Sequence, residues 1–168
     1  VTAGGVPAVD ALGAKAKVVT EAGEKLILVE ELYRELKDGD LITEIRVDAP
    51  PPHAKAGYKK FAVREHLDYA TVSAAVLMTL DGPTCREIKI GLGGVTLQKM
   101  RARAAENAMK GEKVAEGLIE KVAGIAADNA TVHSDMMFSR DYKKKVLKVM
   151  VERAIQEAAG ETPQWNER

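Results

Sequence analysis

The chain has 168 residues, room for one domain of ordinary size or one domain plus part of a second. Its 25 Lys and Arg balance 25 Asp and Glu, so it lacks the surplus of positive charge on which nucleic-acid binding rests. Hydrophobic residues make up 46% and charged residues 30%, a globular composition, and the single cysteine excludes an internal disulfide framework or an all-cysteine metal site. No apolar run approaches the ~20 residues that span a bilayer. One cysteine fits a reducing cytoplasm, and no basic segment followed by an apolar stretch opens the chain, so no signal peptide is expected. Because the first residue is Val1, a processed chain or one cut from something longer is expected.

Thr2-Ala3-Gly4-Gly5 reads as a turn, and Pro7 suits the first turn of a short helix whose apolar face is Ala8, Val9, Ala11 and Leu12 and whose stop is Gly13. Lys15 to Thr20 and Lys25 to Val29, joined at Ala22-Gly23, predict a hairpin. Glu30 to Lys37 predicts a helical turn carrying Leu32 and Leu36. Leu41 to Val47 predicts a strand with Leu41, Thr43, Ile45 and Val47 on one side and Ile42, Glu44 and Arg46 on the other. Ala49-Pro50-Pro51-Pro52 stops it, and three residues that donate no ladder hydrogen bond mark the expected domain boundary, with residues 1–48 before it and 49–160 after it.

Three strands are expected next: Tyr58 to Arg64, Thr71 to Leu80, and Arg86 to Leu92 with Ile88, Ile90 and Leu92 turned inward. Asp81-Gly82-Pro83 makes a tight turn between the last two, so antiparallel pairing follows. The rest predicts helices over Leu97 to Met109, Glu112 to Ala127 (stripe Val114, Leu118, Val122, Ile125) and Ser139 to Ala159. The last is capped by Ser139, stopped by Gly160, and expected to bury Tyr142, Val146, Val149, Met150 and Arg153, so Val149→Asp is expected to unfold the domain. Residues 161–168 read as a loose tail. Strands followed by helices predict an α+β domain, a three-stranded antiparallel sheet with one face covered by three helices.

The chemistry-bearing residues are sparse. His53, His66 and His133 are far apart and have no partner at metal-ligand spacing. His133-Ser134-Asp135 lacks a nucleophile elbow and reads as the approach to a helix. Gly91-Leu92-Gly93-Gly94 followed by Lys99 lacks phosphate-loop spacing and reads as a strand end where backbone passes closely. Cys85, after a turn, is expected to be inert. The informative stretch is 59–71, which sets Lys59, Lys60, Asp68 and Tyr69 within a dozen residues. It is either a hairpin connection with solvated charges or a ligand wall, in which a tyrosine offers a flat apolar face while a lysine and an aspartate hydrogen-bond a heteroaromatic edge.

These residues carry a resemblance. The order Asp40-Leu41-Ile42-Thr43-Glu44-Ile45, the prolines, Lys60-Phe61, Asp68-Tyr69-Ala70-Thr71, Ile90-Gly91-Leu92-Gly93-Gly94-Val95 and the helix from Tyr142 to Ala154 is similar to the FAD-binding medium subunit of molybdenum hydroxylases, the family of carbon monoxide and xanthine dehydrogenases. The resemblance runs from about Pro7 to Ala159. It implies that residues 1–48 are a remnant of the second FAD-binding subdomain and that 49–160 are the C-terminal domain. The family's two glycine-rich segments that hold the FAD pyrophosphate are not in this sequence, so a fragment, or a split flavoprotein whose second chain supplies the N-terminal part, is implied. No acid stands in the Thr2-Ala3-Gly4-Gly5-Val6 region, where the family has an Asp-Pro or Ser-Pro loop. By resemblance, the FAD-binding residues are Leu41, Ile42, Lys60, Asp68 and Tyr69, with Tyr69 stacked over the isoalloxazine. Molybdopterin and [2Fe-2S] clusters belong to a large and a small partner subunit, and electrons pass from the clusters through FAD to an external acceptor. An assembly domain that keeps the fold without flavin, and an unrelated α+β enzyme using Lys60, Asp68 and Tyr69 as acid–base groups, are the other readings of the residues.

Overall fold

The computed structural model describes residues 5–64, 69–95 and 101–160. Its elements, in chain order, are α1 (Val6–Ala11), β1 (Lys15–Thr20), β2 (Gly23–Leu28), a 3-10 turn (Val29–Glu31) running into α2 (Leu32–Glu35), β3 (Leu41–Arg46), β4 (Ala54–Phe61), β5 (Val72–Asp81), β6 (Thr84–Gly93), α3 (Arg103–Met109), α4 (Glu116–Asn129) and α5 (Arg140–Ala159). Two three-stranded antiparallel sheets form, ordered β2-β1-β3 and β4-β5-β6. The α+β class expected from the sequence is therefore found, and α3, α4 and α5 make the helical layer on the second sheet.

The second sheet holds the main core. Ala74, Val76 and Met78 of β5 pair with Leu92, Ile90 and Ile88 of β6, Val72 pairs with Phe61 of β4, and this face packs on Ile119, Val122, Leu147, Val151 and Ile155 of the helices. β5 is central and buried from residue 72 to 78 on both faces, which is why it reads as an unbroken apolar run. Its other face, bare in the sequence reading, is covered by α1. Two glycines allow the close approaches. A Cβ on Gly57 would lie 2.1 Å from the Ala154 carbonyl oxygen of α5, and one on Gly91 would lie 2.2 Å from the Pro7 carbonyl oxygen of α1.

Several expectations shift by a few residues. β4 starts at Ala54 rather than Tyr58, because the prolines form a turn (Ala54 N–H donates to the Pro51 carbonyl at 3.0 Å) and His53 takes a left-handed φ of 63° before the strand begins. α4 starts at Glu116 rather than Glu112. It buries Ile119, Val122, Ala123, Ala126 and Ala127, with Leu118 and Ile125 only partly covered. α5 has the expected caps: the Ser139 hydroxyl accepts the Tyr142 N–H at 3.2 Å, and Gly160 ends the helix at φ 88°. Its buried stripe, however, is Lys143, Leu147, Met150, Val151, Ala154, Ile155 and Ala158. Val149 is 37% exposed and is not core, which corrects the stripe expected from the larger side chains.

The first sheet has a small core of Ala16, Val18 and Ile27 against Leu32 and Leu36. The register of β3 changes at a bulge opposite Lys17 and Val18, with the Thr43 hydroxyl donating to the Lys17 carbonyl at 3.3 Å. Ile42 pairs with Val18 and Ile45 with Ala16, so both lie on the side of the sheet that carries Ala16 and Val18, whereas Leu41 pairs with Val19 on the other. The simple alternation expected for 41–47 breaks there. No residue of β3 is buried. The start of the expected third helix, the 161–168 tail and His66 lie outside the described residues, and no described helix is long and apolar enough to cross a membrane.

Candidate functional site

The β4–β5 connection is held at its base by backbone pairing. Lys60 pairs with Ser73, and the Thr71 N–H donates to the Phe61 carbonyl at 2.7 Å. Lys60 is exposed, and Tyr69 is 83% exposed, a ring with no ring contact among the described residues. Asp68 lies outside the described residues. The connection thus brings Lys60 and Tyr69 to one end of the second sheet. Leu41 (62% exposed) and Ile42 stand on the edge strand of the first sheet and, as neighbours in a strand, on opposite faces of it, as the sequence alternation expects.

An aromatic cluster that sequence reasoning missed braces this end. Phe61 meets Phe138 edge-on at 5.7 Å and Tyr142 at 6.2 Å, and Phe138 stacks on Tyr142 at 5.0 Å and 13°. Phe138 is placed by Asp135, whose Oδ1 accepts the N–H groups of Met137 (2.9 Å) and Phe138 (2.8 Å), while Oδ2 pairs with the Lys143 ammonium. The Lys143 hydrogen bond and those two backbone donors hold the Asp135 carboxyl down at about 2. His133-Ser134-Asp135 is therefore the loop before a helix, with the aspartate organising it. The signal was present: an aspartate followed three residues later by an aromatic and then a serine N-cap.

A second cluster joins the two sheets. Glu106 Oε1 accepts the Ile90 N–H at 2.7 Å and the Arg101 Nε–H at 2.8 Å, and Oε2 accepts Arg101 Nη2 at 3.0 Å, a buried bidentate pair. Arg101 Nη1 reaches the Asp10 carbonyl of α1 at 3.5 Å, and Arg103 pairs with Glu30 of the 3-10 turn. The Asp10 side chain is buried, and its Oδ2 has no hydrogen-bond partner. Burial pushes this carboxyl up to about 7, Arg101 and Arg103 pull against that rise, and Glu30 and Glu106 add to it. Three carboxylates against two guanidiniums leave one carboxyl without a charge partner. Only the Arg-x-Arg-x-x-Glu spacing at 101–106 hinted at this arrangement.

Cys85 is buried, and burial, with Glu87 adding and Lys110 opposing, raises its thiol to about 11, a neutral and unreactive group. Among the described residues no group of three or more His, Cys, Asp or Glu could hold a metal ion.

Comparison with known proteins decides the family. Residues 56–158 match the CO dehydrogenase flavoprotein C-terminal domain. The chain belongs to that family. This CO dehydrogenase flavoprotein C-terminal domain, with the segment before it, is 28% identical over 152 residues to the carbon monoxide dehydrogenase medium chain of Afipia carboxidovorans, covering 88% of this chain and 52% of that one. It is 33% identical over 121 residues to the glyceraldehyde dehydrogenase medium chain of Sulfolobus acidocaldarius, covering 72% and 42%. The carbon monoxide dehydrogenase structure from Hydrogenophaga pseudoflava superposes with a TM-score of 0.87 at 25% identity, over 95% of this chain and 58% of that one. The reconstituted enzyme from Oligotropha carboxidovorans superposes with a TM-score of 0.86 at 25% identity, over 96% and 59%. The resemblance read from the sequence is borne out, and the chain spans about half the length of the curated relatives it matches.

Proposed function

We propose that this chain forms part of the FAD-binding electron-transfer subunit of a molybdenum-containing hydroxylase or dehydrogenase. It would work beside a large molybdopterin subunit and a small [2Fe-2S] subunit in the cytoplasm, with the pyrophosphate of FAD gripped by segments outside this sequence. Residues 1–48 are then a remnant of the second FAD-binding subdomain and 49–160 the C-terminal domain that contains the matched segment 56–158. The observation that carries the reading is Tyr69: a large ring, 83% exposed, on a connection whose base is pinned by the 2.7 Å Thr71–Phe61 hydrogen bond. A flat ring held out on a fixed base, at the same end of the sheet as the exposed Lys60, fits a heteroaromatic partner better than it fits solvent.

FAD, when bound, supplies the relay that takes electrons from the clusters and hands them to an external acceptor. Tyr69 would cover one face of the isoalloxazine and exclude water there. Lys60 would donate to a polar ring edge, either Leu41 or Ile42 would add aliphatic wall from its own face of β3, and Asp68, outside the described residues, keeps the acceptor role that the resemblance implies. No residue of this chain performs the hydroxylation.

The test is Tyr69→Ala and Tyr69→Phe in the complex assembled from all its subunits. The expected result is a severalfold change in flavin reoxidation for Tyr69→Ala, little change for Tyr69→Phe, and a stability change within about 0.5 kcal/mol for an exposed site. A lowered melting temperature with unaltered flavin kinetics refutes the role of Tyr69. A complex that assembles fully without taking up flavin favours an assembly domain instead.

A further inference from the structure

The strap that presents Tyr69 rejoins the sheet at Thr71, and what it rests on is the end of β6. Gly94 follows that strand at φ 74°, and a Cβ there would lie 2.1 Å from the Thr71 carbonyl oxygen and 2.9 Å from both the Thr71 carbonyl carbon and the Val72 Cα. All three atoms are backbone, so no side-chain rotation can relieve the clash. Gly93, which pairs with Ser73, is filled from the same side of the sheet as α1. A Cβ there would lie 2.2 Å from Ser73 Oγ and 2.8 Å from Pro7 Cγ. Two adjacent residues without side chains thus receive the Tyr69 strap on one and the first turn of α1 on the other.

We propose that Gly93 and Gly94 are positioning residues, a seat that sets where the Tyr69 strap lies and keeps it in register with α1. The proposal concerns the strap, and it rests on the flavin reading only for what the ring covers. Without the seat, Tyr69 would be fixed only through the Thr71–Phe61 hydrogen bond. With Thr71 pressed onto Gly94 and hydrogen-bonded to Phe61, the ring is carried on a two-point mount.

The experiment compares Gly94→Ala with Gly111→Ala in the assembled complex. Gly111 has φ 82° and nothing within 4 Å of a would-be Cβ, so it carries the same backbone strain without the clash. Hydrogen exchange at the Thr71 amide reads the strap, and bound-flavin fluorescence reads the ring. The expected result is a rise in Thr71 exchange of about tenfold or more for Gly94→Ala and none for Gly111→Ala, with flavin emission changed only in the former. Equal Thr71 exchange in the two variants overturns the proposal. Raised exchange with unchanged emission upholds the seat and removes Tyr69 from the flavin.

Should Gly94→Ala fail to fold, Gly93→Ala is the milder variant, since both clashing atoms belong to side chains. Ser73→Ala added to it removes the nearer atom, a hydroxyl with no hydrogen-bond partner, and should return Thr71 exchange toward the parent value. Thr71 exchange unmoved by Gly93→Ala overturns the proposal as well.

Discussion

At the scale of the single residue, Asp10 is the group with the most to say about solution behaviour. Its carboxyl lies near 7 when folded and at 3.8 as its ordinary value. Between these values the folded chain holds a proton that the unfolded chain has released, so stability falls as pH rises from about 4 to 7 and levels off above. The expected loss between pH 5 and pH 8 is about 1–4 kcal/mol from this group, and Asp10→Asn, neutral throughout, should flatten the slope in denaturant titrations at both pH values. A parent and an Asn variant with the same pH dependence would mean that Asp10 is ionised when folded. Asp135 does not interfere, because its carboxyl titrates between about 2 and 3.8. Nothing in the sequence around Asp10 marks it. An aspartate in a short amphipathic helix looks solvated until the fold sets it beside Arg101 and under the 2% exposure it has here.

Among the elements, α5 tests the packing. Leu147 is fully buried against the sheet, and Leu147→Ala should cost about 2–5 kcal/mol, whereas Val149→Asp, on the flank, should cost less than about 1 kcal/mol. Chemical denaturation of both variants checks the order, and a Val149→Asp variant that unfolds would put the helix one position round. The helix, its Ser139 cap and its Gly160 stop were legible in the sequence, as were the strands β5 and β6 and the Asp81-Gly82-Pro83 turn. The buried face was not. Weight placed on Tyr142, Val146 and Val149 overlooked Ala154 and Ala158, which lie on the stripe because their small size, with Gly57 opposite, lets helix and strand backbones touch. Leu41 and Ile42 lie on opposite faces as the alternation expects, but the side taken by Ile45 was hidden. A bulge at Thr43 reverses the side of every later residue, and bulges leave no mark in an apolar alternation.

Across the whole molecule, the two sheets are joined through α1, the buried Arg101–Glu106 pair and the Arg103–Glu30 ion pair. Arg101 and Glu106 tie β6 and α3 to α1, and the first sheet's few core residues are too few to stand alone. Arg101→Ala should therefore cost about 3–5 kcal/mol, because Glu106 is left charged and buried. Arg101→Lys should not restore it, since an ammonium lacks the two-pronged geometry. Matching urea midpoints for the parent and Arg101→Ala would show that the halves hold together without this pair. The free margins of the sheets differ in kind. On β4 the Glu157 carboxylate of α5 occupies the outer edge, accepting the Tyr58 N–H at 2.8 Å and the Lys59 ammonium at 3.1 Å, whereas β3 presents six uncovered residues. A foreign strand that approached β4 would have to evict a charged acceptor already in use, and one that approached β3 would meet no such gatekeeper. Self-association of this chain through these two margins should therefore favour β3 over β4, and a lysine placed at Thr43 should reduce it where the same change at Lys59's neighbour Tyr58 would gain nothing.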